Sequence, residues 1–243
     1  MAAFHRRRYR GSNCCLVVSG AIPDALRQGI PSSRLNQLPG SHGGAPGPAP
    51  TRLDFHTGRE EMRVDRLEAA RLLMAWPAPE ADAQRALTGY DLATTLLAEG
   101  RRSRLVARLR EQLQIVESID MDLTTLEQGS LVMLEACCPA EQIEAVEREV
   151  KRILAEAGTS AVSDDELERG RQLVGNGLRF SLEAPGSVAA ITGPQALWRA
   201  PQDPLTPLAE LERWTQTSLQ TDVLPALHPD QAFTLLALPG EAT

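Results

Sequence analysis

Two stretches in the middle of the chain alternate between apolar and polar residues, as half-buried β-strands do. They are Gln114–Leu123 and Ser130–Cys138, and the short Gln128-Gly129 turn lies just before the second. Strands joined by so short a connection pair antiparallel. We therefore predict a β-hairpin here. The apolar face of its second strand carries Val132, Leu134, Ala136 and Cys138.

The first strand of this hairpin places one carboxylate among apolar residues. The residues expected on that face are Ile115, Glu117, Ile119, Met121 and Leu123. An unpaired carboxylate would be costly on a buried face. Glu117 is therefore either an inward charge on an edge strand, a partner of a local cation such as Arg110, or a functional residue.

The rest of the pattern predicts helices grouped around further strands. The predicted strands are Cys14–Ser19, Arg59–Val64, Ala69–Trp76 and Ala232–Leu238. The predicted helices are Phe4–Arg10, Ala81–Leu97, Ser103–Gln112, Glu141–Ala157, a helix from Ser163 to about Leu182, Pro185–Trp198 and Leu208–Leu227. Ser163 and Glu166 have capping-box spacing at the start of one of them. This order predicts an α+β fold, with helices packed on one face of an antiparallel sheet.

The composition changes sharply between the first and second strands. Residues 39–52 are rich in glycine and proline, which cannot build a core, so we predict a linker there. It would separate residues 1–38, the end of one half-domain, from residues 53–243, a complete second half-domain.

The composition narrows the function classes. Apolar residues make up 42% of the 243 residues, and the formal net charge is −7. The acidic net charge argues against nucleic-acid binding. The chain has no run of eighteen apolar residues, which a membrane-spanning helix would need. The adjacent pairs Cys14-Cys15 and Cys137-Cys138 are read as apolar strand residues in a reducing compartment. We expect a cytoplasmic protein, although the basic residues at positions 6, 7, 8 and 10 also occur in organellar transit peptides.

A basic segment follows Gly100. Ser103 and Arg104, with Arg101 and Arg102, could bind an anion at a helix start. The alternative is a helix N-cap followed by a solvated basic turn. None of the four histidines has a second histidine within four residues, so no hydrolytic zinc site can be assembled and no cofactor is expected in this chain.

Several motifs together resemble the insulinase/pitrilysin family of zinc peptidases, which includes the mitochondrial processing peptidases. In chain order they are Phe4–Asn13 followed by Leu16–Gly20, Arg71–Pro79, Gly100 with Ser103-Arg104-Leu105, Leu109-Arg110-Glu111, and Asp165–Arg169. Each motif is weak alone, but five in the family's order are fairly specific. The resemblance covers nearly the whole chain and implies the C-terminal, non-catalytic half.

The resemblance also implies what this chain lacks. The family's H-x-x-E-H zinc motif belongs to the first half. The family's second half often supplies an R-x-x-x-Y substrate clamp, which counting from Arg110 places at Leu113 and Glu117. Both positions depart from the pattern, since leucine cannot donate to a carbonyl and glutamate reverses the charge. Arg110, Leu113 and Glu117 remain candidates for lining a substrate cavity shared with another half.

Three hypotheses follow from the resemblance. The first is a non-catalytic half that completes or scaffolds a zinc peptidase by packing against a catalytic half-domain or homologous subunit, with peptides as substrates. The second is a piece of a zinc-dependent metalloendopeptidase whose H-x-x-E-H half is missing. The third is a relic without an activity of its own.

Overall fold

The computed structural model describes residues 2–39, 53–198 and 201–240. The α-helices are α1 (Ala2–Arg8), α2 (Asp24–Gly29), α3 (Gln84–Ala98), α4 (Ile143–Ala157), α5 (Asp164–Glu183), α6 (Pro185–Leu197), α7 (Thr206–Arg213) and α8 (Gln216–Asp222). The strands are β1 (Gly58–Val64), β2 (Ala70–Ala78), β3 (Ser118–Thr124), β4 (Ser130–Cys138) and β5 (Phe233–Pro239). Most predicted elements are present within a few residues of their expected bounds.

The chain divides into two compact units. The first combines Met1–Thr51 with Gly177–Thr206, and the second combines Arg52–Asn176 with Pro207–Thr243. The predicted linker, residues 39–52, lies outside the described residues except for Pro39. The assignment of residues 1–38 and 53–243 to two half-domains stays a prediction.

The second unit is built on a five-stranded sheet with the strand order β1-β5-β2-β4-β3. The predicted β3–β4 hairpin is present, and β2 pairs antiparallel with both β4 and β5. The edge strand β1 instead runs parallel to β5, which corrects the expectation of a wholly antiparallel sheet. A parallel neighbour needs a long crossover, and almost the whole unit lies between these two strands. The α+β class is confirmed.

One face of the sheet forms the core of this unit. Strand β2 alternates between buried and more exposed positions, and Leu72, Met74 and Trp76 are at most 1% exposed. Helix α4 packs on β2 and β4, and α3 packs on β3. Trp76 also donates from its indole Nε1 to the His228 carbonyl at 3.0 Å. The helices therefore cover the face on which these side chains lie.

Helix α5 begins with the predicted capping box. The Glu166 backbone N–H donates to Ser163 Oγ at 3.2 Å, and the Ser163 backbone N–H donates to Glu166 Oε2 at 3.0 Å. Farther along, a Cβ at Gly170 would lie 2.8 Å from Leu92 and 3.1 Å from Leu96. The absence of a side chain at Gly170 thus lets α5 pack closely against Leu92 and Leu96.

Two predicted elements are wrong. Cys14–Ser19 is not a strand, because it has no partner strand among the described residues, and Leu16 is 51% exposed. The predicted helix Leu208–Leu227 is interrupted after α7. Thr215 caps a new helix there through a capping box with Ser218, and so α8 starts separately.

Within the described residues, no helix has both the length and the apolar character needed to cross a bilayer.

Candidate functional site

The candidate residues Ser103 to Glu117 follow a left-handed turn at Gly100, where φ is +78°. The backbone N–H and the hydroxyl of Ser103 both donate to the Gly100 carbonyl, at 3.1 and 2.7 Å. The predicted helix Ser103–Gln112 is present, but Val106–Gln112 is wound as a π-helix. Such turns are rare and often occur at functional sites.

Two of the three cavity candidates, Arg110 and Leu113, lie at the surface near the end of the π-helix. Leu113 is 37% exposed, and Gln114 after it has a φ of +53°, which is uncommon for a residue with a Cβ. Arg110 Nη2 lies 3.0 Å from Glu111 Oε1, and Arg101 contacts the same carboxylate at 2.7 Å. Hydrogen bonds from Arg101 and Arg110 lower the pKa of Glu111. Arg110 is therefore engaged with its sequence neighbour.

Glu117 does not lie on the buried face, as the alternation predicted. Val116 is buried while Glu117 and Ser118 are both exposed, so the two-residue period is interrupted just before β3 begins. The Glu117 backbone N–H donates to the Cys137 carbonyl at 2.8 Å, and the Cys137 thiol lies 3.7 Å from Glu117 Oε2. The inward charge and the pairing with Arg110 are both absent. Whether Glu117 lines a substrate cavity stays a prediction.

The two anion-binding candidates make contacts within the unit. Ser103 is fully buried. Arg104 forms a two-pronged ion pair with Glu166, with Nε 2.8 Å from Oε1 and Nη2 3.2 Å from Oε2, and its Nη1 donates to Ser160 Oγ at 3.0 Å. Burial raises the pKa of Glu166, but hydrogen bonds from Arg104 and Ser163 outweigh it and hold the pKa at about 2. These contacts favour a structural role for Ser103 and Arg104; anion binding stays a prediction.

The face of the sheet opposite the helices is a further candidate surface, which periodicity alone did not assign. We call it the open face and define it by its apolar floor, which consists of Leu73, Ala75, Met133, Phe233 and Leu235. These side chains line a hollow of about 270 Å³. Met133 is 46% exposed. The other four floor residues are half-buried, so the described part of this unit covers the floor only in part.

Carboxylates border the open face. Asp120, Asp122 and Glu135 all line the hollow, and Glu135 is paired with Arg71 on β2. Burial, then the charges of Asp122 and Glu135, raise the pKa of Asp120. An apolar floor with an acidic border can accept an apolar partner surface that carries basic groups.

A second acidic cavity lies between α3 and β3. It has a volume of about 430 Å³, and its lining includes Asp91, Glu99, Asp120 and Asp122. Burial, and then the charge of Glu99, raise the pKa of Asp91 to about 6. Sequence reasoning missed Asp91, although a lone acid in the apolar stretch of α3 was the available signal.

The donor set does not fit a zinc centre. Across residues 2–39, 53–198 and 201–240, no three His, Cys, Asp or Glu side chains are grouped so that they could hold a metal ion. His56 Nε2 lies 3.5 Å from Asp54 Oδ2, and His228 Nδ1 accepts from the Asp230 backbone N–H at 3.3 Å. We therefore derive no hydrolytic step on this chain.

Comparison with known proteins gives a consistent family. The family model described as the peptidase M16 inactive domain matches residues 1–174. A search of curated proteins gave no match.

Solved structures share the fold at low sequence identity. The chain is similar to a peptidase M16 inactive domain from Pseudomonas fluorescens, with 16% identity, a TM-score of 0.79, and coverage of 100% of this chain and 57% of that one. It is also similar to a protease from Helicobacter pylori, with 15% identity, a TM-score of 0.70, and coverage of 91% and 54%. The first half of the periplasmic protease PqqL from Escherichia coli gives 13% identity, a TM-score of 0.71, and coverage of 91% and 50%. The chain thus spans about half the length of these structures.

Proposed function

This chain belongs to the peptidase M16 inactive domain family, and on that premise we propose that it completes or scaffolds a zinc peptidase by packing against a catalytic half. The catalytic half would bring the H-x-x-E-H zinc site, and this chain would contribute a wall of the substrate chamber. The substrates would be peptides.

The open face is the observation that carries this proposal. Its floor is apolar, and strand β4 presents Met133 there at 46% exposure. An apolar hollow with an exposed methionine and a polar border is the kind of surface on which a partner protein can pack. A second half placed over the open face would bury the floor and leave the acidic border at the edge of the shared space.

The catalytic half can lie in the same polypeptide or in a separate subunit. The similar structures from Pseudomonas fluorescens and Helicobacter pylori are nearly twice as long as the part that this chain matches, which supports a two-half arrangement. Either arrangement uses the same surface. A cytoplasmic location, in keeping with four unpaired cysteines, is part of the proposal.

Reconstitution with the H-x-x-E-H half from the same source tests the proposal. Peptide hydrolysis should require both halves. Met133→Glu should lower the rate of the mixture at least about tenfold, because it buries a charge in the interface. Leu173→Glu is the matched control, since Leu173 is also exposed but lies on α5.

Circular dichroism must show that both variants are folded. The proposal is wrong if the catalytic half is equally active alone, or if the Met133 and Leu173 variants behave alike.

A further inference from the structure

An open cleft lies at the start of α3, apart from the open face. Its volume is about 580 Å³, within the range of small-molecule sites. Its walls come from the first turns of α3, from α7, and from the residues around α8. The residues that line the cleft all belong to the second unit.

Two aromatic side chains give the cleft a rigid apolar wall. Trp214 is 2% exposed and Tyr90 is 7% exposed. The Trp214 indole N–H donates to the Arg85 carbonyl at 3.0 Å, and its ring lies so close to Gly89 that a Cβ there would be 2.4 Å away. The guanidinium carbon of Arg85 lies 4.9 Å from the centroid of the ring. The aromatic wall is thus fixed in place and already contacts one cation.

The cleft also contains a carboxylate oxygen without a donor. Glu210 Oε1 accepts from Arg213 Nη1 at 2.8 Å. Glu210 Oε2 is buried and accepts no hydrogen bond among the described residues, and Arg85 Nη1 is 3.7 Å from it, which is too long for one. Arg85 is thus within ion-pair distance of this oxygen. Buried polar atoms are nearly always hydrogen-bonded, so the oxygen retains the capacity to accept one hydrogen bond.

We propose that this cleft binds a cationic ligand, an ammonium or guanidinium group on an apolar stem. The cation would donate to Glu210 Oε2, and the stem would pack on Tyr90 and Trp214. Asp222 at the exposed rim adds a further negative charge. An anion would be attracted by Arg85 and by the uncapped start of α3. It would, however, be repelled by the carboxylates of Glu210 and Asp222.

Such a group can come from a free amine or from a lysine or arginine side chain of a partner protein. The experiment therefore uses both. The probes are n-butylammonium, n-butylguanidinium and the capped peptide Ac-Ala-Arg-Ala-amide, with n-butyrate as the anionic probe of matched size. The signal is the indole N–H resonance of Trp214 in protein labelled with ¹⁵N-tryptophan, assigned with Trp214→Phe.

We expect saturable shifts of the Trp214 resonance with both cations and none with n-butyrate. Glu210→Gln should weaken cation binding at least about tenfold, since it removes the charged acceptor. Glu212→Gln is the matched control, because Glu212 lies on the same helix but is exposed, and it should bind like the wild type. Tighter binding of the peptide than of the free cations assigns the site to a partner's side chain, and equal binding assigns it to small amines.

If Glu210→Gln fails to fold, the comparison of the cationic probes with n-butyrate on the wild-type protein still tests the proposal. The proposal is overturned if neither cation shifts the Trp214 resonance, if n-butyrate binds as well as the cations, or if a folded Glu210→Gln protein binds them unchanged. None of these outcomes depends on a catalytic half.

Discussion

The two faces of the central sheet differ in how deeply their apolar side chains are buried. On the helix-covered face, Leu72 is fully buried, whereas its neighbour Leu73 points to the open face and is only half-buried. Both leucines belong to β2, so they share backbone, strand pairing and propensity. The difference shows that the helices of this unit pack on one face of the sheet and leave the other face less covered.

Truncation of these two leucines should give the largest contrast. Leu72→Ala removes methyl groups from a packed core and should lower the free energy of unfolding by about 2–5 kcal/mol. Leu73→Ala should cost about 1 kcal/mol or less in the isolated chain, because its side chain already contacts solvent. Urea denaturation followed by circular dichroism measures both. Equal losses would show that the open face is part of the chain's own core.

The acidic cavity between α3 and β3 should make stability depend on pH. The pKa of Asp91 is raised from 3.8 to about 6, so the folded protein binds this proton more tightly than the unfolded chain does. The resulting stability is fully present below about pH 4 and is lost as the pH rises to about 6, by up to about 3 kcal/mol.

Asp91→Asn should therefore stabilise the protein at pH 8 by about 2 kcal/mol and leave it nearly unchanged below pH 4. Asp122→Asn is the matched control, because Asp122 lines the same cavity but is exposed. Thermal unfolding of the wild type and of both variants across this pH range measures these differences in stability. A gain at pH 4 as large as that at pH 8 would contradict the assignment to Asp91.

Two glycines of α5 offer a smaller contrast. A Cβ at Gly170 would press on Leu92 and Leu96, whereas nothing lies within 4 Å of a Cβ at Gly177. Gly170→Ala should cost about 1–2 kcal/mol through overpacking. Gly177→Ala should stabilise the protein by about 0.5–1 kcal/mol through helix propensity. Chemical denaturation checks both signs, and a stabilising Gly170→Ala would mean that this contact is loose.

The reactivity of the two adjacent cysteines of β4 allows the two faces of the sheet to be compared without any mutation. Cys138 is fully buried, and burial is the main cause that raises its pKa to about 11. Cys137, on the other side of the strand, is 9% exposed. Because the thiolate is the reactive form, alkylation at pH 8 should modify Cys14 and Cys15 first, Cys137 later and Cys138 last. Mass spectrometry of timed samples gives the order, and early modification of Cys138 would contradict this packing.

The sequence was sufficient for features set by local pattern. The β3–β4 hairpin, α4 and the Ser163–Glu166 capping box all follow from periodicity or from one short-range hydrogen-bond motif. The α+β class follows from their order. These elements could be predicted because neighbouring residues determine them.

The sequence-based predictions that were wrong concern features that depend on residues far apart in the chain. The interrupted period before β3 puts Glu117 in solvent, and no local rule marks that interruption. The break between α7 and α8 accompanies the seating of Trp214 against Gly89, more than a hundred residues earlier in the chain. The cleft, the buried Glu210 oxygen and the setting of Asp91 arise in the same way from tertiary packing.

The most direct test of the central claim is native isolation of the endogenous protein, followed by intact-mass and zinc analysis. The account predicts an assembly with one zinc-binding H-x-x-E-H half for each copy of this sequence, in the same polypeptide or as a separate subunit. Two results would contradict it. One is a protein of 26.4 kDa that is isolated without a partner and binds zinc stoichiometrically. The other is a protein of that mass that hydrolyses peptides without a second half.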